Sequence, residues 1–149
     1  MQGTMKRAGR ASWLSIAGIF GLLVIVVLFI MSGESSQAAA TRFMNALGKG
    51  DIATLTAMSD IPGSSQEEIR DAWKRTTTIG KHYIFTYKIT STLDANDQTS
   101  MVRMMVVRNA DREGGYEEKF ELPLVKKDGK WKVEVLGLDR RLYPGLPRE

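Results

Sequence analysis

Cysteine is absent from the 149 residues, which excludes disulfides, thiolate metal sites, a cysteine nucleophile and lipid attachment through an N-terminal cysteine. With one histidine, His82, any histidine-based metal site would take most of its ligands from carboxylates. The sequence shows no Gly-rich phosphate loop, no serine-hydrolase elbow and no zinc-ligand spacing. Positive charge is in excess, at net +4 with a pI near 9.4, but its position argues against nucleic acid as a partner. Three of the 21 basic residues, Lys6, Arg7 and Arg10, precede the longest apolar run. The remaining 18 face 17 acidic residues, a net of +1, so no basic stripe is left for DNA or RNA. A 43% hydrophobic content fits one ordinary domain with an appendage.

The appendage is the run ASWLSIAGIFGLLVIVVLFIM, residues 11–31, which is uncharged throughout. At about 1.5 Å per residue it reaches roughly 31 Å, enough to cross a hydrocarbon core of about 30 Å. Trp13 marks the first interface, and the basic cluster before it is expected to stay cytoplasmic while Glu34 and all that follows cross. A cleaved signal peptide is the competing reading, with small residues for a peptidase at Ala38, Ala39 and Ala40. The apolar run exceeds a signal peptide's usual core of about 7 to 15 residues, so an uncleaved anchor is expected. Ala17 and Gly21 form a small-xxx-small pair suited to close helix packing, although lipid-facing small residues are the more common explanation. The expected organisation is a cytoplasmic N-terminus (1–10), a transmembrane helix (11–31), a linker (32–36), an extracytoplasmic domain (37–139) and an extended tail (140–149).

Helical spacing begins after the linker. Ala39, Phe43 and Leu47 share a face that Gly48 and Gly50 end, Asp51 is placed to cap a short second helix, and Ser65 with Glu68 forms a capping box for a third. Trp73 lies on the apolar face of that third helix, which Gly80 closes. The period then drops to two. Strands are predicted over 82–90, with Tyr83, Phe85, Tyr87 and Ile89 on one face, over 101–108, and over 116–125 with Glu118, Phe120, Leu122 and Leu124 on one face. Turn clusters at 94–98 and 109–115 separate them. Asp128-Gly129, the strongest hairpin signal, leads into a fourth strand that turns Trp131, Val133 and Val135 inward. The outward charges Glu117, Lys119, Glu121, Lys132 and Glu134 are expected to pair across these last two strands as a solvated face. Met101, Met104 and Met105 read as core filler, with an adaptable contact surface as the alternative.

Three helices followed by a four-stranded antiparallel meander form an α+β domain. The order of the motifs resembles the NTF2-like superfamily: Phe43-x-x-Ala46-Leu47 in the first helix, the break at Gly50-Asp51, and the hairpin DGKWKV at 128–133. The resemblance covers about residues 36–138 and implies a cone-shaped fold with a curved sheet. Small bacterial membrane-anchored proteins and the periplasmic part of VirB8-like secretion components have a similar layout. Enzymes of the superfamily place an acid or a His–Asp pair inside the cone, which makes Asp60 and His82 the candidates here. Asp60 is more simply a turn residue before Ile61-Pro62-Gly63, and His82 opens a strand beside Lys81. No residue is therefore assigned to catalysis, cofactor or metal. The expected function is a membrane-tethered, extracytoplasmic, non-catalytic binding or assembly module. Its expected partners are membrane lipid through 11–31, a protein partner or a second copy, and a small apolar ligand in the cone. The alternatives are a cyclase- or isomerase-type enzyme using Asp60 or His82, and an envelope-complex subunit. Pro144 and Pro147 spell P-x-x-P, but an SH3 ligand does not suit an extracytoplasmic tail.

Overall fold

The local signals that start and stop each helix are satisfied one by one. Ser35 accepts a hydrogen bond from the Ala38 N–H and opens α1 (Ser36–Lys49), which Gly50 closes in the left-handed region at φ 69°. Asp51 accepts from the Thr54 N–H at 3.1 Å and opens α2 (Ile52–Met58). Ser65 and Glu68 exchange both bonds of a capping box at the head of α3 (Gln66–Ile79). These assignments come from a computed structural model, which describes residues 33–109 and 113–148. The predicted transmembrane run 11–31 and its basic flank lie outside the described residues. Among the described residues, no helix is long and apolar enough to cross a membrane.

Among the described residues the sheet has five strands where four were expected. Its long members are β2 (Phe85–Asn96), β3 (Thr99–Arg108), β4 (Tyr116–Lys127) and β5 (Lys130–Glu134), joined as an antiparallel meander. The fifth is β1 (Ser59–Asp60), two residues that leave α2 and pair parallel with β5, giving the order β1-β5-β4-β3-β2. Two residues cannot display a period, so this strand is invisible to pattern reading. β2 also runs farther than predicted. The turn shrinks to Asp97 and Gln98 because the Asn96 carboxamide accepts from the N–H groups of Gln98 and Thr99. A register shift between Ile89 and Ser91 is a bulge that bends the long β2–β3 ribbon.

All three helices lie on one face of this curved sheet, with α1 touching β2 through β5. Phe43, Met44, Leu47, Leu55 and Trp73 meet Val102, Met104, Val106, Leu122, Leu124 and Val133 there, all fully buried. Removing one such large side chain from water contributes about 2–3 kcal/mol. Phe43 and Trp73 meet edge to face with centroids 5.9 Å apart. The Trp73 indole donates to the Ser59 hydroxyl at 2.7 Å, and that hydroxyl donates to the Leu55 carbonyl at 2.7 Å, so this buried polar chain is satisfied. Trp131 and Val133 turn inward as expected. Val135 is buried too, but from a 3-10 turn, Val135–Gly137, that ends the strand. Of the three methionines, Met104 is core, while Met101 and Met105 are half-buried on the opposite face of the sheet.

Candidate functional site

Asp60 and His82 are not brought together. Asp60 lies on β1 at one edge of the sheet, its carboxylate 2.6 Å from the Lys127 ammonium. It borders a recess of about 390 Å³ shared with Pro62, Met101, Glu121 and Leu136, away from the helix layer. His82 is exposed in the turn leading into β2, the strand at the opposite edge.

The end of the helix-covered face beside the last turn of α3 and the start of β2 is closed by the chain's own C-terminal segment. Leu142 and Tyr143 are almost wholly buried, as is Leu146. Tyr143 stacks edge to face on Tyr83 and Phe85, with centroids 5.2 and 6.2 Å away, and its phenol donates to the Gly80 carbonyl at 3.1 Å. A Cβ on residue 80 would overlap the Tyr143 ring, so the glycine that ends α3 is also the seat of this tyrosine. Thr76 donates to the Gly145 carbonyl at 2.5 Å, and Tyr83 to the Leu142 carbonyl at 3.4 Å. Burial pushes the Tyr83 and Tyr143 phenols above their usual pKa, which keeps both as neutral hydrogen-bond donors.

A charged clamp holds the root of this segment. Arg108, at the end of β3, has its guanidinium 5.5–5.8 Å from the ring centres of Tyr83, Tyr116 and Phe120. Its Nη2 lies 2.9 Å from Glu118 Oε2 on β4, and both side chains are mostly buried. Those two atoms meet outside hydrogen-bonding directions, so the contact is Coulombic. Arg141 reaches the other Glu118 oxygen at 3.5 Å and binds Asp139 at 2.7 Å. Burial opposes the Arg108 charge, but the Tyr116 hydrogen bond and the neighbouring Glu118 hold its pKa above the ordinary guanidinium value. Hydrogen bonds from Arg141 hold Asp139 below the usual carboxylate range. The arrangement binds and orients the tail with permanent charges. Reading the sequence missed it, because Arg108 and Glu118 stand ten positions apart at the ends of two strands. Only the register, which sets Glu118 opposite Val106, brings them together.

The outer charges also differ from expectation. Glu121 pairs with Arg103 on β3 at 2.8 Å, and Lys132 donates to the Ala57 carbonyl. β5 faces β4 only along Leu124 to Lys127, so Glu117, Lys119 and Glu121 have β3 beside them but no strand on the β5 side to pair across.

No family model matches the chain, and no curated protein matches it. Among solved structures it is similar to a protein from Thiobacillus denitrificans assigned as a calcium/calmodulin-dependent protein kinase type II association domain. That likeness has a TM-score of 0.53 at 9% identity, over 68% of this chain and 90% of the other. An NTF-2 like protein from Shewanella oneidensis scores 0.47 at 14% identity, over 64% of this chain and 88% of the other. A ketosteroid isomerase-like protein from Erwinia carotovora scores 0.46 at 16% identity, over 65% and 86%. The first of these shows a shared fold, helices on one face of a curved antiparallel sheet, and at 9% identity it shows the fold alone.

Proposed function

We propose that this chain is an NTF2-like domain carried on an N-terminal membrane anchor, and that it acts outside the cytoplasm as a binding or assembly module. The observation that carries the proposal is the filled interior: Leu142, Tyr143 and Leu146 are buried, with Tyr143 seated against Gly80, Tyr83 and Phe85 at the end of α3 and the start of β2. Binding then falls to the surface. The anchor is supported by the uncharged run 11–31 and its basic flank. The rival, a cyclase- or isomerase-type enzyme, needs an acid or base facing an interior cavity. Asp60 is tied to Lys127 and His82 is exposed, so neither geometry supports that reading.

Two measurements test the proposal. Protease added to spheroplasts should digest the domain without lysis; digestion only after lysis contradicts the topology. Cross-linking in intact membranes, followed by purification of the full chain in detergent, should recover a stoichiometric protein partner. Recovery of the chain alone contradicts the module.

A further inference from the structure

Successive residues of an antiparallel strand point their N–H and C=O groups to one neighbour and then to the other. Along β4 this alternation can be read directly. Lys127 and Lys130 close the two-residue Asp128-Gly129 turn, so Lys127, and with it Val125, points to β5. Lys126 points the other way, its N–H donating to the Gln98 carbonyl at 2.7 Å. β4 pairs with β3 without a register break from Tyr116 to Val125, so the parity holds along its length. Pro123, Glu121, Lys119 and Glu117 therefore face the β5 side.

β5 does not reach them. Pro123 has no N–H to offer the next rung, the ladder stops at Leu124 and Val133, and the chain turns away through the 3-10 turn. Among the described residues, no backbone hydrogen bond reaches Glu117, Lys119 or Glu121 from that side. Among the described residues, three N–H and three C=O groups therefore find no backbone partner on this largely exposed stretch. Over them lies a recess of about 830 Å³ that spreads across the outer face of the sheet, from Thr90, Arg103 and Met105 past Lys119 and Glu121 to residues 137–139. That volume lies within the usual range of about 300–1,000 Å³ for a ligand site.

We infer that this edge of β4 takes an extended peptide segment of a partner protein, added as a strand in the gap that β5 leaves. The inference rests on the binding-module reading and adds the partner's chemistry. Residues of the added strand opposite Glu117, Lys119 and Glu121 share the outer face with them, and charge complementarity makes these basic, acidic and basic, the last sharing Glu121 with Arg103. The residues between them turn to the inner side, next to the already buried Phe120 and Leu138, and are apolar. The motif is basic–apolar–acidic–apolar–basic, which reads the same in either strand direction. A folded second copy would have to bring its own sheet past the wall formed by residues 137–139, whereas a lone extended segment enters from the open side.

The test uses the full chain in detergent micelles and a fluorescent peptide, Thr-Arg-Val-Glu-Val-Arg-Thr. Saturable binding is expected, with new protection of the Glu117, Lys119 and Glu121 amides from hydrogen exchange. A peptide with Arg and Glu exchanged should bind about tenfold more weakly. The original peptide, N-methylated at its pairing amides, should not bind. Lys119→Glu, an exposed change outside the core, should weaken the original peptide about tenfold without shifting the unfolding midpoint. Equal binding of all three peptides overturns the inference, as does a Kd weaker than about 1 mM. Concentration-dependent protection of these amides without peptide also overturns it, because a second copy would then hold the edge. If the peptide fails while cross-linking still recovers a partner, the edge assignment falls and the module reading stands.

Discussion

Tyr143 and Gly80 form a matched pair: the phenol donates to the Gly80 carbonyl at 3.1 Å, and its ring fills the space that a side chain on residue 80 would need. The last turn of α3 and the C-terminal segment are therefore specified together, 63 residues apart.

Gly80→Ala should unseat the segment. Its φ of −84° suits alanine, so the cost comes from overlap with Tyr143, about 1–3 kcal/mol for an overpacked site. Chemical denaturation should show the loss, and Tyr143→Phe, which removes only the hydrogen bond, should cost about 1 kcal/mol.

Ser59→Ala leaves the Trp73 indole N–H buried without its acceptor. The expected loss is about 1–3 kcal/mol by urea unfolding. An unchanged midpoint would show that the Trp73–Ser59–Leu55 chain is not formed in solution.

Glu118→Gln removes the charge that Arg108 and Arg141 share and leaves Arg108 mostly buried without a paired anion. Both side chains keep some contact with solvent, so the expected loss is about 2–3 kcal/mol, below that of a fully buried pair. Arg103→Ala, which breaks an exposed pair with Glu121, should cost less than about 1 kcal/mol.

The clamp also predicts a response to acid. Asp139 has a lowered pKa in the folded protein because Arg141 donates to it. Its contribution is therefore present above the unfolded value of about 3.9 and is lost as pH falls through the folded value. Asp139→Asn should flatten the fall of stability below about pH 4 while changing the slope near neutrality little. An identical acid slope in the variant would show that the Arg141 bonds do not persist in solution.

How much of this could be read from the sequence depended on whether a feature repeats locally. The caps at Ser35, Asp51 and Ser65 act within three residues, and the Asp128-Gly129 turn sets the strands on either side of it, so these were legible. The two residues of β1 have no period. Pro144, Gly145 and Pro147 marked the tail as a turn-rich end, while the burial of Leu142, Tyr143 and Leu146 depends on Gly80 and Thr76 far upstream. The outer charges were assigned partners across β4 and β5 on the assumption of a full-length ladder. Pro123, which ends that ladder, was the signal that would have corrected it.

The central claim is that the tail closes the interior and leaves binding to the surface. Because the chain has no cysteine, a single introduced thiol reports without interference. Leu142→Cys places it at a position only 1% exposed. In the full chain, maleimide labelling should be slowed at least about a hundredfold relative to the denatured protein, since access requires local opening. Labelling at the denatured rate would mean that the tail is not seated, and would contradict the account.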